Sequence, residues 1–467
     1  MIKALAFSTA LAAGLAAQAP AQVVIREFHV TPIVRPDVSH EAHDRSALRA
    51  ATESLRGETN ALDRLKLYPV AGVLNRDFYI PYFVDLQPGP GLLDYRCMDY
   101  TFEEHTGHDP YIRSFREQEI GVPVFAPLDA TVLEVHDGEP DQNTVVDFGA
   151  PSNFVVLSHV SGYRTEYMHL KRGSVTVQPG QTVTAGTQIG MVGSSGPSAA
   201  PHVHFETRVN NEPVEPLAGP CRAGASLFER QQPDISVAPV VIGVSFSDRA
   251  FSAFQGPPHD NAPRSATYPR NTQDVHFRVE VAEVRAGSTY TLTVIPPSGP
   301  ALPPVSGTLT AYNAYLASAA WALQVPLTQS GTWHINLRVN GHQVIEVPFT
   351  VVDFLTQIVN RPPNPITASI EPVGLMAREV AVCRATGSVL ADPDTDVVSY
   401  RYQWLVNGEL VRDVTTAVRA DALASQHAAA GNEIQCRITP SDGQLEAATA
   451  VATVGVQGPP RRRAAGR

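Results

Sequence analysis

Short β-forming runs separated by glycines fill residues 121–209, and this pattern restricts the folds open to the chain. Runs such as 130–135 and 154–159 are rich in β-branched and aromatic residues and are too short for typical helices. Glycines recur between the runs at hairpin-like intervals, at Gly162, Gly173, Gly180, Gly186, Gly190, Gly193 and Gly196. Because glycine adopts the backbone angles of tight turns, the spacing predicts an all-β domain of strands joined by hairpins.

Further β-rich regions follow and predict a chain of several domains. A sequence of 467 residues is too long for one hydrophobic core, so about three domains are expected. Its 43% hydrophobic and 17% charged residues argue against long disordered tracts. Strand-like alternation returns after a boundary near 216–239 and again after a proline-rich linker at 361–365. We therefore predict a mainly β fold, with an antiparallel-sheet domain at 68–225 and two β-sandwich (Ig-like) domains at 233–355 and 366–456.

The start of the chain has the organisation of a secretory signal peptide, predicted at residues 1–21. Lys3 supplies the positive charge, an Ala- and Leu-rich run spans 4–17, and a small-x-small cleavage pattern ends at Ala21. The protein is therefore expected to be periplasmic or secreted. The alternative is an uncleaved anchor, although the apolar run is short for a membrane span and no later stretch approaches spanning length.

The two flanks of the predicted domains carry no recognisable chemistry. Residues 22–67 form a predicted N-terminal extension, irregular to about Ser39 and partly helical from 41 to 67, where leucines recur at helical spacing. The sequence leaves open whether this extension acts as an inhibitory pro-region. Residues 457–467 form a short basic tail, and a formal net charge of −11 gives no indication of nucleic-acid binding.

Four cysteines indicate two disulfide bonds. An even number in an exported protein favours disulfides, and four cysteines allow three connectivities. We predict Cys97–Cys221 and Cys383–Cys436, because each pair brackets one predicted domain. Cys383, Trp404 and Cys436 also have the order found in immunoglobulin-like (Ig-like) sandwiches, so the last domain resembles an Ig-like module.

The first β-rich domain holds side chains suited to a catalytic zinc ion, which needs three protein ligands and an open position for water. His105 and Asp109 offer a nitrogen and an oxygen, and Gly107 between them permits a tight path that points both side chains inward.

Three more histidines can complete such a site. On a strand, residues two apart point to the same face, so one of His202 and His204 can bind the metal while the other stands beside its water. His169, on a separate predicted strand, is the remaining candidate.

Taken together, these motifs resemble the M23 family of zinc metallopeptidases, the lysostaphin-type peptidoglycan endopeptidases. The resemblance covers about a quarter of the chain in its strictest part. The matching residues are His105-x-Gly107-x-Asp109, Gly121-x-Pro123-Val124-x-Ala126, His159-x-x-Gly162-Tyr163-x-Thr165-x-Tyr167-x-His169-Leu170, Val183-x-x-Gly186-x-x-Ile189-Gly190-x-x-Gly193-Ser194-Ser195-Gly196 and His202-Val203-His204-Phe205-Glu206.

The resemblance implies that His105, Asp109 and His204 bind one Zn²⁺ per chain, and that His169 and His202 are catalytic residues flanking the attacking water. It implies a zinc endopeptidase whose partner is a peptidoglycan peptide. Physical chemistry agrees, because zinc activates water and two imidazoles can carry its proton and stabilise the developing oxyanion. The sequence indicates neither the peptide bond cleaved nor the oligomeric state.

Two alternatives share this fold. The first is a non-catalytic cell-wall-binding regulator of other hydrolases. The presence of all five site residues argues against this alternative. The second is a secreted protease that acts on glycine-rich proteins through the same site.

Other polar residues near these motifs are interpreted as bystanders. His108 occupies a variable position of the first motif, with a hydrogen bond to a ligand as its alternative role. His159 is interpreted as structural and His136 as a surface residue. Ser195 and Ser198 are interpreted as turn residues, because no G-x-S-x-G elbow surrounds them.

Overall fold

Strands dominate every part of the chain that the structure describes. The computed structural model describes residues 22–32, 63–160, 163–230, 239–255, 258–309, 314–354 and 359–458. The mainly β prediction is confirmed, because regular structure in these ranges consists of strands, one short α-helix and brief 3₁₀ turns. No helix in these ranges is long and apolar enough to cross a membrane. The predicted signal peptide lies outside the described residues, as do most of the predicted helical stretch and most of the basic tail, and residues 63–67 are not helical.

The site domain, defined as residues 63–230, is organised around one antiparallel sheet. Strand β1 (Val24–Pro32) precedes it in sequence but pairs elsewhere. The elements of the site domain are β2 (Phe78–Tyr82), β3 (Asp109–Ile112), α1 (Phe115–Ile120), β4 (Pro123–Phe125), β5 (Ala130–His136), β6 (Phe154–Ser158), β7 (Tyr163–Met168), β8 (Thr182–Val183), β9 (Gln188–Met191), β10 (His204–Val209) and β11 (Glu212–Pro213). The main sheet has the order β11-β10-β7-β6-β5-β8, and β2–β3 and β4–β9 form two-stranded sheets.

The two faces of the main sheet have different roles. Tyr167 on β7 and Phe205 on β10 are paired in register and buried, with ring centroids 5.4 Å apart, so this face forms the core. Successive side chains on a strand point to opposite faces. The neighbouring pair, Met168 and His204, therefore projects from the other face, where both line a groove.

The middle sandwich, residues 239–354 together with β1, consists of two sheets around a shared core. Its further strands are β12 (Val240–Ser247), β13 (Thr267–Pro269), β14 (Asp274–Val284), β15 (Thr289–Ile295), β16 (Val305–Thr308), β17 (Ala314–Gln324), β18 (Gly331–Val339) and β19 (His342–Val352). One sheet has the order β1-β17-β14-β12 and the other β13-β19-β18-β15-β16. Trp321 from the first sheet and Trp333 from the second are buried in one core.

Strand β1 shows that the interpretation of residues 22–39 as irregular was wrong over Val24–Pro32. This segment pairs antiparallel with β17, and Phe28 stacks on Trp321 with ring centroids 5.3 Å apart. The segment mixes apolar and polar side chains and forms an edge strand, and its partner lies far along the chain, beyond the reach of local patterns. The predicted extension 22–67 is therefore not one structural unit.

The C-terminal sandwich, residues 359–458, also has two sheets. Its strands are β20 (Ile366–Glu371), β21 (Ala381–Gly387), β22 (Ser399–Val406), β23 (Glu409–Thr416), β24 (Ala420–Leu423), β25 (Glu433–Ser441) and β26 (Ala450–Gly455). The sheets have the orders β20-β21-β24 and β23-β22-β25-β26.

Both predicted disulfides are present. Cys97–Cys221 joins two loops of the site domain. Cys383–Cys436 joins β21 to β25, one strand from each sheet of the C-terminal sandwich, with Cα atoms 6.4 Å apart. Trp404 lies opposite Cys436 in register and is buried. The Ig-like assignment of the two sandwiches stays a prediction that rests on this arrangement.

Both sandwiches dock on the site domain through buried polar contacts. From the C-terminal sandwich, Arg419 forms an ion pair with Asp77, with 3.1 Å between Nη1 and Oδ1. From the middle sandwich, the carbonyl oxygen of Ile242 accepts a hydrogen bond from Nη1 of Arg113, at 3.2 Å. Because separating a buried ion pair leaves uncompensated charge, the Arg419–Asp77 pair holds the C-terminal sandwich in place, and the Arg113 bond adds a contact to the middle sandwich.

Candidate active site

Three side chains of the site domain converge on one point. Nε2 of His105 lies 3.2 Å from Oδ1 of Asp109 and 3.2 Å from Nδ1 of His204. That Nδ1 lies 2.9 Å from the same Oδ1. Tetrahedral zinc bonds of about 2.0–2.1 Å place neighbouring ligand atoms about 3.3 Å apart. The three atoms therefore have the spacing of zinc ligands, and among the described residues they are the one cluster of three or more such groups.

Backbone pairing brings the two ligand motifs together. The N–H of His108 donates to the carbonyl oxygen of Phe205 at 2.8 Å, and the N–H of Phe205 donates back to His108 at 2.8 Å. Gly107 is required at this crossing, since a Cβ atom there would lie 2.7 Å from the oxygen of Phe205 and 2.9 Å from Cε1 of His204. Gly107 was predicted to permit a tight backbone path. In the structure, glycine is needed here because the backbone closely approaches His204, one of the three convergent side chains.

The other nitrogen of each ligand histidine is occupied by the protein. Nδ1–H of His105 donates to the carbonyl oxygen of Phe83 at 2.8 Å. Nε2–H of His204 donates to Oε1 of Glu206 at 2.9 Å. These bonds select the tautomers that leave Nε2 of His105 and Nδ1 of His204 available to a metal.

Glu206 is the site residue for which sequence reasoning assigned no role. It follows His204 by two residues on β10, so both point to the same face, and this spacing was the available signal. Thr106 donates to Oε1 of Glu206 at 2.6 Å, and Arg208 pairs with Oε2 at 2.6 Å. Although burial opposes it, hydrogen bonds to Asp109 and Glu206 raise the pKa of His204 to about 10. Without a metal this imidazole therefore holds a proton on Nδ1 beside Asp109, and metal binding must displace that proton.

The substitution Glu206→Gln is expected to weaken zinc binding about 10–100-fold, because loss of the outer partner of a metal-binding histidine has this effect. The measurement is competition with a chromogenic chelator. Glu134→Gln, an exposed change on β5 of the same sheet, is the matched control and should bind zinc normally. Equal affinities for the two variants would contradict this role for Glu206.

His169 and His202 stand beside the three convergent side chains. Their ring centroids are 4.6 Å apart, and that of His169 is 6.2 Å from that of His204. Both were predicted on strands, but His169 follows the end of β7 with a φ of 62° and His202 precedes β10. Tyr111 stacks on the ring of His202, with centroids 4.4 Å apart and an interplanar angle of 4°.

In each of these two imidazoles, one nitrogen is also engaged in a hydrogen bond to the backbone. Nδ1–H of His169 donates to the carbonyl oxygen of Ser195 at 2.7 Å, and Nδ1–H of His202 donates to that of Ala200 at 2.8 Å. Burial is the main cause that lowers the pKa of both side chains, that of His169 well below its usual value. Both are therefore neutral near pH 7, with Nε2 able to accept a proton.

The residues interpreted as bystanders make contacts of a structural kind. Nε2 of His108 bonds to both carboxylate oxygens of buried Glu215, at 2.9 and 3.0 Å, and not to a ligand. His159 is buried and bonds to the carbonyl oxygen of Asp129 and to Thr165. His136 pairs with Glu139 at the surface.

The two serines make hydrogen bonds in the loops beside His169 and His202. Ser195 Oγ accepts from the N–H of Asn153 and donates to the carbonyl oxygen of Leu170. Ser198 Oγ donates to the carbonyl oxygen of Ala200.

The convergent side chains open on a groove of about 710 Å³. Tyr79, Tyr82 and Phe102 contribute aromatic walls, and the loop at 144–148 adds Val145 and Phe148, which are exposed. A groove of this size, mainly apolar with a few convergent polar groups, is the usual form of a substrate site.

Comparison with protein families identifies the site domain. Residues 114–216 match the model of Peptidase family M23. The chain contains an M23 peptidase domain. His169, His202 and His204 lie inside the matched range, and His105 and Asp109 lie just before it. The match confirms the resemblance seen in the motifs, and M23 peptidases are metallopeptidases that usually hold zinc.

Relatives match about a fifth to a quarter of this chain. An uncharacterized metalloprotease of Haemophilus influenzae is 38% identical over 97 residues, covering 21% of this chain and 18% of that protein. The peptidoglycan DD-endopeptidase ShyB of Vibrio cholerae serotype O1 is 32% identical over 113 residues, covering 24% of each. The chain thus spans about a fifth to a quarter of the length of these relatives. The solved catalytic domain of lysostaphin from Staphylococcus simulans is 24% identical with a TM-score of 0.21, covering 30% of this chain and 90% of that one.

Proposed function

We propose that this chain is a zinc-dependent endopeptidase that hydrolyses peptide cross-links of bacterial peptidoglycan in the periplasm or outside the cell. The observation that carries the proposal is the convergence of His105, Asp109 and His204 beside two neutral imidazoles. The similarity to ShyB, a peptidoglycan DD-endopeptidase, supports the substrate class. The predicted signal peptide supports the location.

The donor set fits zinc. Two imidazole nitrogens and one carboxylate oxygen are ligands that zinc prefers, and three protein ligands leave a position open, as in catalytic sites. When bound, zinc polarises the scissile carbonyl and lowers the pKa of water towards neutrality. The protein's contribution is to hold the three donors at fixed spacing and to select their tautomers through Phe83 and Glu206.

His169 and His202 would handle the proton of the reaction. Because each is neutral and has Nδ1 bonded to the backbone, Nε2 can accept a proton from the attacking water and return it to the leaving amine. Once protonated, an imidazolium here also stabilises the oxyanion of the tetrahedral intermediate. The flat contact with Tyr111 fixes the ring of His202, so the geometry is in place before substrate binds.

The two alternative hypotheses share the proposed fold and differ from this proposal in the activity that they assign to the protein. A non-catalytic regulator would not need two histidines with committed tautomers beside the metal ligands. A protease for glycine-rich proteins would use the same residues, and no feature of the groove favours that substrate.

The test is mass spectrometry of material released from sacculi of defined cross-link chemistry. The full chain is expected to release muropeptides with newly exposed amino groups, and a chelator should stop the release until zinc is restored. Binding to sacculi without release from any wall type would overturn the proposal in favour of a regulator. Cleavage of elastin-like peptides but of no sacculus would favour the protease.

A further inference from the structure

We propose that the middle sandwich supplies part of the substrate groove of the M23 domain, through the segment at 258–261. The inference rests on the proposed function and deepens it by naming an element that selects branched, cross-linked peptides. Pro258 lines the groove together with Tyr111 and Arg113, although it belongs to the connection between β12 and β13 of the sandwich. Among the described residues that line the groove, Pro258 is the one from outside the site domain, residues 63–230, which is also called the M23 domain.

Two contacts seat Pro258 against helix α1. The backbone N–H of Phe115 donates to the carbonyl oxygen of Pro258 at 2.7 Å. The ring of Phe115 is buried and meets the ring of His259 edge-on, with centroids 5.3 Å apart. The segment is therefore attached to the M23 domain by both a backbone bond and a side-chain contact.

Asp260 fastens the same segment to the sandwich. Its side chain is buried and forms ion pairs with Arg264 and with Arg278 on β14. The guanidinium of Arg278 in turn lies over the ring of Phe251, 4.7 Å from its centroid. Moving this buried carboxylate would leave the charges of two arginines unpaired. The segment at 258–261 is therefore held in a fixed position on the sandwich.

The sandwich is itself held against the M23 domain at a second region. Tyr100 donates a hydrogen bond to Glu283, and Arg285 pairs with Asp99 at 3.1 Å. These contacts fix the position of Pro258 relative to the catalytic histidines. A wall held in place before binding avoids the entropy cost of ordering a loop around the substrate.

The position of Pro258 determines what it can recognise. A peptide limited to the residues around the scissile bond would contact His169 and His202 without needing the whole groove. A branched cross-link carries two stems and would fill more of the groove, so one stem would meet the half-buried ring of Pro258. This contact would favour cross-linked peptides over linear ones.

The test compares Pro258→Ala with Pro304→Ala, an exposed proline of the same sandwich outside the groove lining. For a cross-linked muropeptide dimer, Pro258→Ala is expected to raise KM roughly three- to tenfold with kcat within about twofold, because a lost apolar contact removes uniform binding. For a linear peptide with the same scissile bond, KM should change less than about twofold. Pro304→Ala should match the wild type on both. An equal rise in KM on both substrates, or none, would overturn the inference.

Calorimetry separates this inference from the proposed function. The dimer is titrated into zinc-loaded His169→Gln protein, alone and combined with each proline change. If the wild type releases nothing from sacculi but Pro258→Ala weakens dimer binding three- to tenfold, the groove inference stands and the proposed function fails. If the wild type hydrolyses sacculi and Pro258→Ala binds the dimer as Pro304→Ala does, the groove inference alone fails.

Discussion

Replacing His204 with alanine is expected to remove both the metal and the activity. Nδ1 of His204 is one of three atoms within 3.2 Å of one another, and two remaining ligands hold zinc poorly. Since a bound metal contributes several kcal/mol to the transition state, and about 1.4 kcal/mol is worth tenfold in rate, kcat/KM should fall by about a thousandfold or more. The measurements are zinc content of the purified protein and release of muropeptides from sacculi.

The matched control for this change is His136→Ala. His136 lies on β5 of the same sheet, pairs with Glu139 at the surface, and takes no part in the groove. It should keep about one zinc per chain and the wild-type rate. A His204→Ala protein that retained zinc and full hydrolysis would contradict the proposed site.

Replacing His169 with glutamine is expected to separate metal binding from catalysis. His169 is not one of the three side chains whose ligand atoms converge. The zinc content of this variant should therefore stay near one per chain. Loss of a general acid or base costs about 10²–10⁴-fold in rate, and kcat should fall by that amount while KM changes little.

His159→Gln provides the comparison for a buried histidine without a catalytic role. It also uses Nδ1 to contact a backbone carbonyl, that of Asp129, but it does not line the groove. This variant should lose some thermal stability and keep its kcat. If His159→Gln and His169→Gln lost kcat equally, the effect of His169 would be structural, and its catalytic role would be wrong.

The residues of the candidate site could be predicted from the sequence more fully than the contacts that surround them. His105, Asp109 and His204 lie in short motifs whose residue types suit zinc, the resemblance to the M23 family selects these three, and the structure brings their ligand atoms together. The same holds for Cys97–Cys221, which was predicted because the pair brackets one predicted domain. These features depend on side-chain chemistry that is visible in the local sequence.

Features that depend on distant pairing were not visible in this way. Glu206 stands two residues after His204 in a matched motif, so their shared face could be predicted, but its bond from Thr106 joins segments that lie far apart in the sequence. The pairing of β1 with β17 joins one segment that precedes the M23 domain in the sequence and one that follows it. Pro258 lies in a proline-rich stretch whose sequence indicates only a loop, and its place in the groove depends on how two domains dock.

The pairing of β1 makes the M23 domain an insertion within the middle sandwich. β1 precedes the M23 domain and β12–β19 follow it, so the enzyme is tethered at both ends to one body. A domain held at both ends has less freedom to rotate than one on a single linker, which suits a groove shared between two domains. The arrangement also fixes an order of folding: β1 is synthesised first but cannot join its sheet until β17 has emerged, after the whole enzyme domain.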